Sequence, residues 1–296
     1  MYFIMPIEQK NFLFRIITVA ILLFGTWGFW LIKIQSASPV VEDGLLIVTF
    51  LNIGQGDAIF IETPDGVQIL IDGGPDGTVL RELSQVMNWS DHTIDMVIGT
   101  HPDKDHIGGL VDVLGRYKID TILTTENTGE TLTAASYHDA LLGEGAKVIM
   151  ARAGQVFALG ASTTLAVFSP AQNPSLLDSN TSSIVVQLRY GDIEFMLTGD
   201  APQSIEEYLV GKFGGQLESE VLKLGHHGSK TASAEGWLKT VTPKYAVVSA
   251  GKDNRYGHPN PDVVARVEAL NILIENTIEQ GPITFKSDGS QVWLVE

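Results

Sequence analysis

The chain contains no cysteine, which excludes disulfides, thiolate metal sites and cysteine nucleophiles. Basic residues are scarce: 19 Lys and Arg stand against 35 Asp and Glu, a formal net charge of −16. The imbalance is not confined to a tail. Residues 39–296 hold 16 basic and 34 acidic residues, or −18. A surface this acidic repels polyanions at long range, so a nucleic acid would need a local basic patch or a bound metal. Low-complexity tracts are absent. So are long apolar runs, with one exception. Phe12 to Ile32 reads FLFRIITVAILLFGTWGFWLI, with Arg15 its only charge. About 20 apolar residues span a bilayer as a helix.

Trp27 and Trp30 lie where interfacial aromatics are favoured, and Lys10 and Arg15 precede or open the run. Residues 1–35 are therefore expected to be a single-pass anchor with the C-terminal part extracytoplasmic. The alternative is a signal peptide cleaved near Gln35-Ser36-Ala37, giving a secreted protein. Residues 36–43 read as a linker and residues 44–296 as one globular domain.

Within that domain, strand-like runs such as Leu45–Leu51, Val67–Ile71, Asp95–Gly99, Ile184–Tyr190 and Ile193–Thr198 alternate with helical stretches. The helical stretches include Gly108–Arg116, Leu132–Leu142, Pro202–Phe213 and Asp262–Leu270. Strand, polar loop and helix recur in that order. The expected class is α/β, with two sheets sandwiched between helices and function in the loops at one edge.

The loop after Asp95–Gly99 carries the densest chemistry. His101-Pro102-Asp103-Lys104-Asp105-His106 places four potential ligands within six residues, followed by Gly108-Gly109. Imidazole and carboxylate together suit a divalent metal. Asp200 closes another apolar strand, in Thr198-Gly199-Asp200. His226-His227-Gly228-Ser229 follows a third. Adjacent histidines cannot point the same way, so one is expected to ligate and the other to face substrate. Weaker signals are Asp178 through Ser183, including Asn180, and Asn254 through Pro259, including His258. Asp72, before Gly73-Gly74, is placed to orient a ligand histidine from behind. His92 and His138 lie outside every motif and read as surface histidines.

In this order the motifs resemble the metallo-β-lactamase superfamily, whose hallmark is His-x-His-x-Asp-His followed by a lone His, a bridging Asp and a final His. More closely, they resemble the extracytoplasmic hydrolase-like domain of the ComEC competence proteins. The carriers are Asn52 through Ala58, Asp72 through Gly74, the 101–106 loop, Ser179 through Ser183, Thr198 through Asp200, His226 through Ser229 and Tyr256 through Pro259. The resemblance implies a metallo-β-lactamase-like αββα sandwich and hydrolysis by a metal-bound hydroxide, most closely as a ComEC-like phosphodiesterase or nuclease.

It also implies two divalent ions. His101, Asp103 and Asp200 would hold one, with Asn180 a weak fourth ligand. Asp105, His106, Asp200 and His227 would hold the other. The expected catalytic residues are Asp105, Asp200, His226 and His258, the two histidines holding phosphate or protonating the leaving oxygen. Ser183, Ser229 and Ser249 would donate to a phosphate. Asp103 and Asn180 stand where the superfamily has histidine, and oxygen ligands favour Mn2+ over Zn2+. The implied partners are the membrane, through the N-terminal helix, and single-stranded DNA or another phosphodiester. Two departures remain open. One is a metallohydrolase acting on another ester, a lactone or a β-lactam. The other is a non-catalytic binding module of the same fold. ComEC proteins also carry many membrane helices where this chain has one at most, so DNA transport by this chain alone is not implied.

Overall fold

Strands apolar on both faces organise the molecule. Along β1 (Leu46–Phe50), β2 (Ile59–Glu62) and β3 (Gln68–Ile71), the side chains of Val48, Ile61, Ile69 and Ile71 enter a central core, while Phe60 and Leu70 point the opposite way. Along β10 (Ile193–Leu197), Ile193, Phe195 and Leu197 enter that central core and Met196 turns outward. A strand buried on both faces needs a layer on each side. This computed structural model describes residues 44–295. The expected membrane segment and linker lie outside them, and among the described residues no helix is long and apolar enough to cross a membrane.

The layers are helix, sheet, sheet, helix. The first sheet has eight strands in the order β15-β14-β1-β2-β3-β4-β5-β6. Its later members are β4 (Thr93–Gly99), β5 (Lys118–Thr124), β6 (Lys147–Met150), β14 (Ile283–Ser287) and β15 (Val292–Leu294). The second has seven, in the order β13-β12-β11-β10-β9-β8-β7. These are β7 (Val156–Ala158), β8 (Thr163–Ser169), β9 (Val185–Tyr190), β10, β11 (Val221–Lys223), β12 (Tyr245–Val248) and β13 (Leu273–Asn276). Both sheets change from antiparallel to parallel pairing, at β3 and at β10.

Helices α1 (Thr78–Val86), α2 (Lys104–Leu114) and α3 (Leu132–Glu144) cover the first sheet through Leu83, Leu110 and Tyr137. Helices α4 (Gln203–Phe213), α5 (Glu235–Val241) and α6 (Pro261–Ala269) cover the second through Leu209, Trp237 and Val263. A short α7 (Thr277–Gln280) follows β13. The expected αββα sandwich is the observed fold.

Two differences from the sequence reading affect the site. The helix expected from Gly108 starts four residues earlier, at Lys104, so Asp105 and His106 lie in its first turn. The Asp103 carbonyl accepts from the backbone N–H of both His106 and Ile107, which closes that turn. A carboxylate there meets the positive end of the helix dipole. The second difference is three elements with no clear sequence signal, α5, β13 and the short α7. Helix α5 has only seven residues and no side-chain cap of its own. Instead Glu206 of α4 accepts from the backbone N–H of Ser233 (2.6 Å) and Ala234 (2.8 Å) at its start. Strand β13 is a sheet edge, where the Glu275 and Asn276 that obscure its pattern are tolerated.

Candidate metal centre

The parallel strands end on one side of the sandwich. Beyond β3 comes Asp72, beyond β4 His101, beyond β10 Asp200, beyond β11 the His226-His227 pair and beyond β12 Ser249. Asp200 sits at the middle. Its Oδ1 lies 3.3 Å from His106 Nε2, and its Oδ2 lies 3.8, 3.7 and 3.5 Å from the Nε2 atoms of His101, His226 and His227. His227 Nε2 is also 3.4 Å from Asp105 Oδ2, and His101 Nε2 is 3.7 Å from Asp103 Oδ2.

The Nε2 atoms of His101, His106 and His227, together with Asp200 Oδ1 and Asn180 Oδ1, are buried with no hydrogen-bond partner. Buried polar atoms ordinarily find partners. Three imidazole nitrogens aimed at one carboxylate, all unpartnered, are the donor set of a divalent cation. The residues therefore fit the metal implied by their motifs.

The opposite edges of the rings are fixed. Asp72, at φ 59°, accepts from Thr100 N (2.8 Å), Thr100 Oγ1 (2.8 Å) and His106 Nδ1 (2.7 Å). His227 Nδ1 donates to the Ser249 carbonyl at 2.9 Å and lies 3.3 Å from Asp57 Oδ1. The hydrogen bonds to Asp72 and to the Ser249 carbonyl hold the Nε2 lone pairs of His106 and His227 on the metal side, while Asp57 Oδ1 approaches His227 as a charge with no hydrogen-bond partner of its own.

Charge is concentrated here. Burial works against a charged His227, but Asp200 and Asp57 outweigh it and raise its pKa to about 9. His106 is likewise raised well above the ordinary range against burial, by Asp200 and Asp72. His101 goes the other way: burial, with His106 beside it, pulls it to about 4. Burial would raise Asp200 and Asp105, yet the neighbouring histidines hold both low. Without metal, the carboxylates are therefore met by protons on two of the three buried rings.

The remaining expected residues are placed unequally. Asp103 is partly exposed and accepts from Ser179 Oγ at 2.6 Å. Asn180 Nδ2 lies 3.4 Å from His226 Nδ1, so Asn180 adjoins the half-buried histidine. His258 stands beside His226 at a ring separation of 5.6 Å and stacks on exposed Tyr256. Ser183 Oγ accepts from Asp200 N at 3.3 Å. Ser229 Oγ closes a turn with Thr231. Ser249, expected to offer its hydroxyl to substrate, donates it to the Gly56 carbonyl at 2.9 Å and touches the centre through its own carbonyl. His92 and His138 are exposed.

Asp57 and Lys223 carry no role in the sequence reading, yet both are buried at the centre, 2.8 Å apart. A signal was available. Lys223 interrupts the apolar run Val221-Leu222-Lys223-Leu224, and a lysine in a buried strand requires a counter-charge. Gly56 makes the approach possible. At φ 128° it has no room for a side chain: a Cβ would stand 2.1 Å from the Asp105 carbonyl oxygen. Gly56→Ala is expected to destabilise the chain by about 3 kcal/mol in denaturant unfolding. Wild-type stability in that variant would refute the close approach.

The metallo-beta-lactamase superfamily profile matches residues 51–252. ComE operon protein 3 of Bacillus subtilis is 29% identical over 258 residues, covering 81% of this chain and 33% of that protein. Competence protein ComA of Neisseria gonorrhoeae is 30% identical over 246 residues, covering 83% and 33%. The chain thus spans about a third of the length of these curated relatives. Among solved structures, Igni18, a metallo hydrolase from the archaeon Ignicoccus hospitalis, shares the fold with a TM-score of 0.57 at 19% identity, covering 81% of this chain and 98% of that one. With its fold, its buried His and Asp cluster and a profile match across most of its length, the chain belongs to the metallo-β-lactamase superfamily.

Proposed function

We propose that this protein is a metal-dependent phosphodiesterase of ComEC-like type, acting on single-stranded DNA or a related diester with two divalent ions, Mn2+ preferred over Zn2+. The observation that carries the metal is the set of unpartnered Nε2 atoms around Asp200. The observation that supports Mn2+ is oxygen chemistry on one side of the centre, where Asp103 and Asn180 adjoin His101 and His226. Similarity to competence proteins supports the diester.

His101, Asp103 and Asp200 would hold one ion, with Asn180 as a weak ligand. Asp105, His106, Asp200 and His227 would hold the other. A divalent ion lowers the pKa of bound water and polarises a phosphoryl oxygen. The protein's own groups do the rest. Asp200, between the Nε2 atoms of His101, His106 and His227, would be shared by the two ions. His226, whose Nδ1 faces Asn180 Nδ2, presents Nε2 to the site as a donor for a phosphate oxygen. His258 stands next to it and can deliver a proton to the leaving oxygen. Residues 12–32 support an extracytoplasmic position at the membrane.

The test is cleavage of a labelled single-stranded oligonucleotide and of a model diester by metal-stripped chain given Mn2+, Mg2+ or Zn2+. Turnover with Mn2+ is expected, and none with any of the three would end this reading. The acidity of the chain favours a second one, in which the substrate is another ester, a lactone or a β-lactam rather than a polyanion. Turnover of those alone would select it. Asp103→His is expected to shift the metal preference towards Zn2+ by roughly tenfold in competition titration, because it replaces an oxygen ligand by imidazole. An unchanged preference would show that Asp103 does not meet the metal.

A further inference from the structure

The carboxylate of Asp57 poses a question that the metal ligands do not answer. Asp57, His106, Asp200 and His227 each place one ligand atom within 4.8 Å of the others, so Asp57 is close enough to share a cation. It lies on the wrong edge of the rings, however. Its Oδ1 is 3.3 Å from His227 Nδ1 and its Oδ2 4.0 Å from His106 Nδ1, whereas the Nε2 atoms face Asp200. On that Nδ1 edge a cation is already present: Lys223 Nζ, 2.8 Å from Asp57 Oδ2 and donating to the Leu224 carbonyl at 2.9 Å. Both side chains are almost wholly buried, at 2% and 0% exposure, and a buried charge persists only when paired.

Resting on the metal-dependent reading above, we propose that Asp57 and Lys223 are positioning residues: a buried ion pair that holds the His227 ring with Nε2 towards the metal, while the Lys223 ammonium keeps divalent ions off its Nδ1 edge.

The backbone makes the pair rigid. Asp57 N donates to the Asp105 carbonyl at 3.1 Å, and the Asp57 carbonyl accepts from Gly74 N at 2.8 Å. Asp57 is thereby tied to both the ligand loop and the loop of Asp72. Lys223 lies three residues before His226 on the segment that delivers His227. A carboxylate beside Nδ1–H makes Nε2 a better ligand. Unneutralised, the same carboxylate would compete with the Nε2 side for the divalent ion itself. The lysine is a tethered monovalent cation that removes this competition, so His227 and His106 are left to serve one position.

The test is Mn2+ titration of the metal-stripped full chain against a fluorescent chelator, comparing wild type with Asp57→Asn/Lys223→Met. The double variant removes both charges together, which buried ion pairs tolerate far better than loss of one partner. Its metal-free melting temperature is expected to stay within a few degrees of wild type. One Mn2+ site is expected to weaken by about tenfold to a hundredfold, the range seen when a group behind a ligand is removed, while the other is unchanged. A merely structural pair would leave both affinities alone, and unchanged affinity in a folded double variant overturns the proposal. Should that variant not fold, Asp57→Asn/Lys223→Gln keeps a donor for the Leu224 carbonyl and is read the same way. Wild-type chain that binds no Mn2+ at all would instead overturn the metal reading on which the proposal rests.

Discussion

Asp200→Asn is expected to abolish turnover, by at least about a thousandfold, or roughly 4 kcal/mol of transition-state stabilisation. Asp200 is the one carboxylate within 4 Å of the Nε2 atoms of His101, His106, His226 and His227. An amide lacks the negative charge of the carboxylate, so under the proposed two-ion reading bound Mn2+ should fall by at least one ion per chain. The backbone need not move, because Asp200 N is held by Ser183 and its strand β10 is buried on both faces. Activity, metal content and far-ultraviolet circular dichroism measured together decide the matter. A variant within tenfold of wild-type activity would remove Asp200 from the chemistry.

The second large effect concerns pH. In metal-free chain, His227 is raised to about 9 and His106 is also raised, so the stability they contribute is full below the ordinary 6.5 and is lost as pH rises through the folded values. For His227 this amounts to about 3 kcal/mol at 1.36 kcal/mol per unit. Glu206 acts in the same direction. Burial raises it to about 7, which favours the folded state below 4.5 and is lost upward from there. Asp57 is one of the buried carboxylates, with Asp105 and Asp200, whose contribution is lost in acid. Against the cost of burial, Lys223 and His227 bring it to about 2, so its contribution is present above 3.8 and is lost as pH falls through 2.

His101 works the other way: pulled to about 4, it costs stability as pH falls below 6.5. Metal-free chain should thus be most stable near the ordinary histidine value of 6.5 and weaken as pH rises above it. Under the proposed metal reading the slope should reverse: an ion held by His106 and His227 would expel their protons, and each proton expelled would make affinity rise about tenfold per pH unit. Melting temperatures in chelator and in Mn2+ should therefore move in opposite directions between about pH 6.5 and pH 8.5, where only the raised histidines titrate in the metal-free chain. Parallel curves would show that these rings do not take the metal.

Much of the fold was legible because its strands are short apolar runs closed by polar loops, and those loops carried His101 to His106, Asp200 and His226-His227. Periodicity lost elements where tertiary contacts replaced local signals. Helix α5 borrows its cap from Glu206, 27 and 28 residues before the amides it accepts from and adjacent to them in space. Strand β13 is polar at its end because it closes a sheet. The start of helix α2 is hidden for a related reason. Gly108 and Gly109 resemble a helix entrance in sequence, but they lie inside the helix, where side chains would strike the Pro75 and Gly73 carbonyls.

The roles of individual residues divide in the same way. The ligand types, their order along the chain and the superfamily can be read from residue identity and spacing within short segments. Which of the two adjacent histidines points inward depends on the folded chain. His227 is buried with Nε2 towards Asp105 and Asp200, whereas His226 is half-exposed beside Asn180 and His258. Tertiary folding also brings Asp57 from one sheet onto Lys223 of the other, behind a ring that neither adjoins in sequence. The physical reason is that a buried charge is stable only beside its opposite, and that pairing forms across the sandwich, where no local spacing records it.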